Sequence, residues 1–293
     1  MFRLGLDLGG TKIEGILLDE EGNTLKRQRL PTLRENGYQS IVNRICELTN
    51  NLLKKSKNIK SIGICTPGSI DPTSGRLKIS NTVCLINKPL KQDLEQKLGL
   101  QVHMENDANC FALAEAVLGA GRGYGTVFGV ILGTGVGGGI VINGKIHRGP
   151  NNMAGEWGHH VLYSGGNKCY CGNRGCVETY ISGPALEKQW LGLSGEIARV
   201  SEIGQDNFPI QYAEWKGAFV FNYGQSLAHI ITILDPDIIV IGGGVSNVDF
   251  LYDEGKKAVY EKVSSPTVLT PILKNTLGDS AGVYGAAMLG ELA

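Results

Sequence analysis

One pattern occurs twice in this chain of 293 residues: an apolar run, a tight turn of glycine and threonine, and a second apolar run. It covers residues 2–8, the turn Gly9-Gly10-Thr11-Lys12 and residues 13–18, then returns as residues 126–132, the glycine-rich turn 133–139 and residues 140–143. Each copy reads as two core strands joined at the turn, and the repetition predicts two related domains facing one another. The length suits two modest cores. Boundaries are expected at 1–117 and 118–282, with a C-terminal Gly/Ala-rich helix over 283–293 rejoining the first domain. Between the repeats, residues 24–30 read as a third strand and 61–65 as a buried one. Ile41, Ile45, Leu48 and Leu52 mark an amphipathic helix over 38–53, and another helix starts at Leu90. In the second half, 219–234 is helical until Asp235-Pro236-Asp237 breaks it, and 238–241 is a buried strand.

The second constraint is the stretch from Gly155 to Glu178. Cys169, Cys171 and Cys176 fall within eight residues in a loop bearing Gly and Asn, with His159 and His160 about ten positions upstream. Three thiolates and one imidazole make a closed tetrahedral zinc set, which leaves no open coordination position and so marks a structural metal. Ordinary buried thiols or a disulfide are the alternative, but this spacing in a polar loop is a poor way to fill a core. Glu156, His159 and Glu178 lie in the same clip, which predicts that the metal fixes a loop whose purpose is to aim them. The other cysteines, Cys46, Cys65, Cys84 and Cys110, sit in apolar surroundings, as expected of free thiols in a reducing, cytoplasmic compartment.

The glycine turns carry a further implication. Backbone N–H groups of Gly9 and Gly10, with the Thr11 hydroxyl and the Lys12 ammonium, can face one point where phosphate oxygens would sit. Gly133, Thr134, Gly135 and Gly137 offer the same in the second copy. Asp7, a carboxylate at the end of an apolar strand beside such a turn, is better explained by Mg²⁺ or its waters than by packing. Gly242, Gly243 and Gly244 end a strand and would let a flat ring such as adenine lie on the backbone. Asp107 stands where a strand gives way to a helix; it is either an N-cap or a general base. Glu105, Asn106 and Asn109 crowd the same junction, more than a cap requires, and favour the base. Gly68 and Asn81, in turns after and near buried segments, are candidate ligand contacts for which a plain turn is the competing account. Lys+Arg 28 against Asp+Glu 28 gives a formal charge of zero, so no basic field advertises nucleic acid or an anionic membrane. No signal peptide or membrane-spanning run is expected either.

Together these parts predict ATP and Mg²⁺ held between two domains and a neutral polyol as acceptor. The segments DLGGTK, ENDAN, ILGTGVGGG, GEWGH, CYCGNRGCVE and IVIGGG resemble, from first strand to last helix, the ROK family of bacterial sugar kinases and repressors. That resemblance implies an α/β chain of the actin and hexokinase-like, ribonuclease H-like ATPase fold, with two α/β domains around a cleft. It implies Asp107 as base, and Asn106, Asp107, Glu156, His159 and Glu178 on the sugar, beside which Gly68 and Asn81, read from their turns alone, are further candidate substrate contacts. It also implies zinc on His159, Cys169, Cys171 and Cys176, His160 being excluded, and a homodimer. The expected reaction is ATP-dependent phosphorylation of a hexose 6-hydroxyl, with fructose first and N-acetylglucosamine, glucose or mannose as alternatives. A non-catalytic sugar-responsive regulator is the reading from another class. Repressors of the family carry a DNA-binding helix-turn-helix ahead of the first strand, where this chain is expected to have none.

Overall fold

The computed structural model describes residues 2–54, 59, 61–71, 73–79, 82–204 and 207–291. Arg3–Leu8 (β1), Lys12–Leu18 (β2) and Thr24–Pro31 (β3) form an antiparallel meander, and β1 also pairs in parallel with Ser61–Thr66 (β4). After a two-stranded hairpin, Ser69–Ile70 (β5) with Leu77–Ile79 (β6), Gln101–Asn106 (β7) joins β4 in parallel. The resulting sheet runs β3-β2-β1-β4-β7. β1 and β4 are buried along nearly their whole length, as parallel central strands covered on both faces must be, whereas edge strand β3 is largely exposed. Tyr38–Leu53 (α1) turns Ile41, Ile45, Leu48 and Leu52 inward, and Leu90–Leu98 (α2) ends at Gly99 in the left-handed conformation that glycine tolerates.

The second half repeats this order. Thr126–Leu132 (β8), Val136–Ile142 (β9) and Lys145–Ile146 (β10) form the meander, and Ile238–Gly242 (β11) and Ile272–Lys274 (β12) add in parallel, giving β10-β9-β8-β11-β12. The repeat read from the sequence is thus a repeat of strand order. One expectation is corrected: the second turn is short, and β9 begins at Val136, so Gly137, Gly138 and Gly139 are strand residues. They are glycine for packing. A Cβ on Gly138 would lie 2.4 Å from Trp157, and one on Gly139 would lie 2.6 Å from the Ala108 carbonyl.

Asp107–Val117 (α3) and Ala281–Met288 (α8) fill the layer between the sheets; their buried side chains share one cluster with Ile16, Leu18 and Cys65 of the first sheet and Val127, Val141, Ile238 and Val240 of the second. α3 is buried all round from Ala108 to Glu115, which fits a helix pressed from both sides. α8 approaches so closely that a Cβ on Gly5 or Gly63 would fall 2.3 or 1.7 Å from its carbonyls. The second lobe has its own aromatic core around Trp190, Trp215, Phe219 and Tyr223, built from Glu178–Ile181 (α4), Gly183–Ser194 (α5), Pro209–Leu234 (α6) and Glu254–Tyr260 (α7). α6 starts ten residues earlier than the sequence pattern predicts, since Pro209 occupies its first turn, where proline costs no hydrogen bond. No helix among the described residues is long and apolar enough to cross a membrane.

Gly63→Ala is expected to destabilise the protein by about 2 kcal/mol or more, because a methyl there meets helix backbone rather than a yielding side chain. Gly217→Ala, in an exposed and open stretch of α6, should instead stabilise it by roughly 0.5–1 kcal/mol. Thermal melts of the two variants check both signs.

Candidate active site

Parallel pairing sets the floor of the site. β1, β4 and β7 run the same way, with Asp7 opposite Cys65 and Cys65 opposite Glu105, so the C-terminal ends of the three strands open at one edge. There the chain enters α3. Asn106 caps this helix, its Oδ1 accepting the Asn109 N–H at 2.7 Å. Asp107 is therefore not the cap. Its Oδ1 accepts the Ala108 N–H at 2.9 Å, and no side chain among the described residues hydrogen-bonds the carboxylate. Glu105 explains the crowding seen in the sequence: Oε1 accepts the Asn106 N–H (3.0 Å) and Asn109 Nδ2 (3.1 Å), and Oε2 pairs with Arg148 Nε at 2.5 Å. Arg148 follows β10, so this pair ties the second lobe to the junction that presents Asp107.

Asp107 keeps an exposed face, yet protein packed around it withholds bulk water and raises its carboxyl above the usual range; the N–H groups of Ala108 and of Asp107 itself oppose the shift. Asp7 is pushed up to about 6, mainly by burial and further by the charges of Asp107 and Glu14, while Cys65 and Lys12 pull it down. Glu156 is half-buried and raised by burial, lowered by His159, and raised again by Asp107 and Glu178. Asp107, His159 and Glu178 are therefore all near enough to Glu156 to act on its charge.

The clip that holds three of them matches the expected donor set. Ligand atoms of His159, Cys169, Cys171 and Cys176 all lie within 4.8 Å of one another. A zinc tetrahedron with ordinary bonds has edges of about 3.8 Å between sulfurs and about 3.6 Å between nitrogen and sulfur. Cys171 and Cys176 are 3.6 Å apart at Sγ, and Cys169 Sγ is 3.5 Å from His159 Nδ1. These separations are far too long for a disulfide and fit one metal. His160 lies outside the cluster and pairs with His229, Nε2 to Nδ1 at 3.1 Å. The other nitrogen of His159, Nε2, meets the hydroxyl of Tyr170 at 3.0 Å. Glu178, at the start of α4, accepts the Val136 N–H at 2.9 Å, which fastens the clip to the second glycine turn.

In that turn Gly133 and Thr134 face open space, while Gly135 lies against Glu178. Gly137 is past the turn, in β9, its missing side chain facing Ala108. The first turn is closed by Gly9 N–H to the Lys12 carbonyl (3.0 Å) and braced by Thr32, which bonds the Thr11 and Gly9 carbonyls; Thr11 and Lys12 are exposed. At the end of β11, Gly242 lies under the ring of Phe111 and Gly243 against the Leu132 carbonyl; only Gly244 is open. Packing thus accounts for two of the three glycines expected to support a ring. Gly68 follows β4 at φ 98°, and Asn81 lies outside the described residues. Sequence reasoning missed Arg34, Arg148 and Tyr170. No motif flags the two arginines, and Tyr170, standing between two of the cysteines, was passed over for them.

The profile of the ROK family matches residues 3–291. The chain is 40% identical over 302 aligned positions to an N-acetyl-D-glucosamine kinase of Haemophilus influenzae, covering 97% of this chain and 98% of that protein. It is 38% identical to the N-acetyl-D-glucosamine kinase of Pasteurella multocida, covering 98% of each. Among solved structures it resembles a ROK hexokinase from Thermus thermophilus, at TM-score 0.89 and 31% identity, with 99% of this chain and 97% of that one covered. It also resembles a ROK family glucokinase from Streptomyces griseus in complex with glucose and AMPPNP, at TM-score 0.78, 31% identity and 99% coverage of both.

Two outcomes are expected. Because the Asp7 carboxyl is raised in the fold, the folded protein holds a proton that the unfolded chain releases near pH 4, so stability contributed by protonated Asp7 is present below that pH and is lost as pH rises to about 6. The loss approaches about 3 kcal/mol, and in metal-free protein Asp7→Asn should flatten the melting-temperature profile across that window. Purified protein should carry one zinc per chain by elemental analysis. Cys176→Ser should lose it and open residues 160–175 to limited proteolysis while the melting transition of the lobes survives.

Proposed function

The chain belongs to the ROK family, and from that membership we propose that it transfers the γ-phosphoryl group of ATP to the 6-hydroxyl of N-acetylglucosamine. Sugar kinase activity is the coarse statement its relatives support; the actin and hexokinase-like fold is shared with them. The sugar is the finer one. The fructose expectation finds no support among these relatives, and N-acetylglucosamine, an alternative at the level of sequence, takes its place.

The observation that carries the reading is convergence: Asp107, His159 and Glu178, from two lobes, all act on the charge of Glu156 in the gap beside it. Such a gap, rich in acceptors, suits hydroxyl groups and repels anions. Asn106, with Oδ1 spent on the cap, offers its Nδ2 to a sugar oxygen, and Glu156 and the free Oε1 of Glu178 accept sugar hydroxyls. Asp107 takes the proton of the attacking hydroxyl on Oδ2, and a carboxyl raised by its surroundings is a stronger base than one in water. Asp7 is placed to hold Mg²⁺ or its waters, which supply positive charge beside the phosphates. With the Gly9 and Gly133 N–H groups spent inside their own turns, Gly10 and Thr11 on one sheet, and Thr134 and Gly135 on the other, offer N–H groups to phosphate oxygens. Gly244 is the open backbone for the nucleoside. Zinc on the four clustered residues fixes the loop and takes no part in bond making.

A coupled assay of ADP release over a panel of hexoses and N-acetylhexosamines tests the reading. N-acetylglucosamine is expected to give the highest kcat/KM, and Asp107→Asn to cut kcat about 10³-fold while leaving calorimetric sugar affinity within about threefold. Sugar binding without ADP formation by the unaltered protein would point to a regulator instead.

A further inference from the structure

The first glycine turn is overhung by a cation. Directly after β3, Thr32 is fully buried and ties its segment to the turn twice, its N–H to the Thr11 carbonyl at 2.9 Å and its hydroxyl to the Gly9 carbonyl at 2.7 Å. Leu33 then takes φ 52°, ψ 45°, a left-handed conformation that a leucine adopts only where its surroundings impose it. The bend brings Arg34 back over the turn, so that a Cβ on Gly10 would lie 3.2 Å from Arg34 Nη1. Among the described residues the guanidinium of Arg34 has no carboxylate or carbonyl partner. Its neighbours do: Arg27 and Arg29 pair with Glu14, Arg44 with Glu47, and Arg148 with Glu105. Lys12, the other cation of the turn, lies near enough to Asp7 to act on its charge.

We propose that Arg34 is a further catalytic residue that grips the phosphoryl group in transfer, reaching across Gly10 to the terminal phosphate of the nucleotide. The inference rests on the kinase reading and extends it. A neutral sugar gives an unpaired guanidinium nothing to neutralise, whereas its planar fork matches two phosphate oxygens. The first turn abuts Asp7 and, through it, Asp107, so the group nearest Arg34 is the one that moves rather than the nucleoside. Charge on that group spreads over its outer oxygens during transfer, and a fixed cation there stabilises the transition state more than the ground state. Gly10 leaves the guanidinium its present place, since a Cβ there would crowd Arg34 Nη1 at 3.2 Å.

The test uses the zinc-loaded full chain and its Arg34→Ala and Arg34→Lys variants, titrated calorimetrically with β,γ-imido-ATP, ADP, free N-acetylglucosamine and its 6-phosphate in the presence of Mg²⁺. Arg34→Ala is expected to weaken the imido-triphosphate about tenfold or more and to leave ADP and free sugar within twofold, with kcat falling about a hundredfold; Arg34→Lys should recover part of both. Equal losses for ADP and the triphosphate, or none for either, would overturn the assignment, as would a loss confined to sugar 6-phosphate. An unaltered protein that binds neither nucleotide would overturn the kinase reading itself and Arg34 with it.

Discussion

Two carboxylates held near each other, each raised by the protein packed around it, are the condition around which this protein is built. Asp7 and Asp107 reach the same edge because β1, β4 and β7 are parallel and in register, and each is raised by the burial that brings it there. Such a pair is costly to an empty protein. It is held because α3 and α8 are clamped between two sheets, where glycines at positions 5, 63, 139 and 285 let backbones meet without side chains between them. At the start of α8, a Cβ on Gly282 would lie 3.5 Å from the Asp7 carboxylate. A proton or a divalent cation would relieve the pair.

The second lobe supplies what the first lacks. Its glycine turn faces the other side of the cleft, and Glu178 joins the cysteine clip to that turn through Val136. The clip cannot shift without moving the turn, so Glu156, His159 and Glu178 are mechanically linked to the turn at Gly133 to Gly135. Across the cleft, Arg148 holds Glu105, and Glu105 holds both Asn106 and Asn109 on either side of Asp107. This ion pair is half open to water, and such a pair contributes little to stability. Its consequence is positional: the orientation of the Asp107 junction depends on a residue delivered by the opposite lobe.

Much of this was legible in the sequence, and the failures have physical causes. The repeat predicted matching lobes, and strand order bears this out through five strands in each sheet. The Cys and His spacing predicted a cluster whose edges fit a zinc tetrahedron. The run from Gly133 to Gly139 was read as one turn because glycine serves two ends, permitting a bend and permitting close packing, and a string does not separate them. Gly242 and Gly243 show the same ambiguity, since the backbone that seemed free for a ring is occupied by Phe111 and Leu132. Asp107 could be told from a cap only after Asn106 was seen to do the capping. Arg34 and Arg148 were invisible because their meaning lies in what they approach across the fold, and no local pattern encodes that.

The most direct measurement is a crystal structure of the protein with N-acetylglucosamine and β,γ-imido-ATP bound together. The account expects the 6-hydroxyl within about 3.2 Å of the Asp107 carboxylate and aligned with the terminal phosphorus across the first glycine turn. A sugar seated with its 6-hydroxyl more than about 5 Å from Asp107, or a nucleotide whose phosphates point away from Gly9 to Lys12, would contradict it.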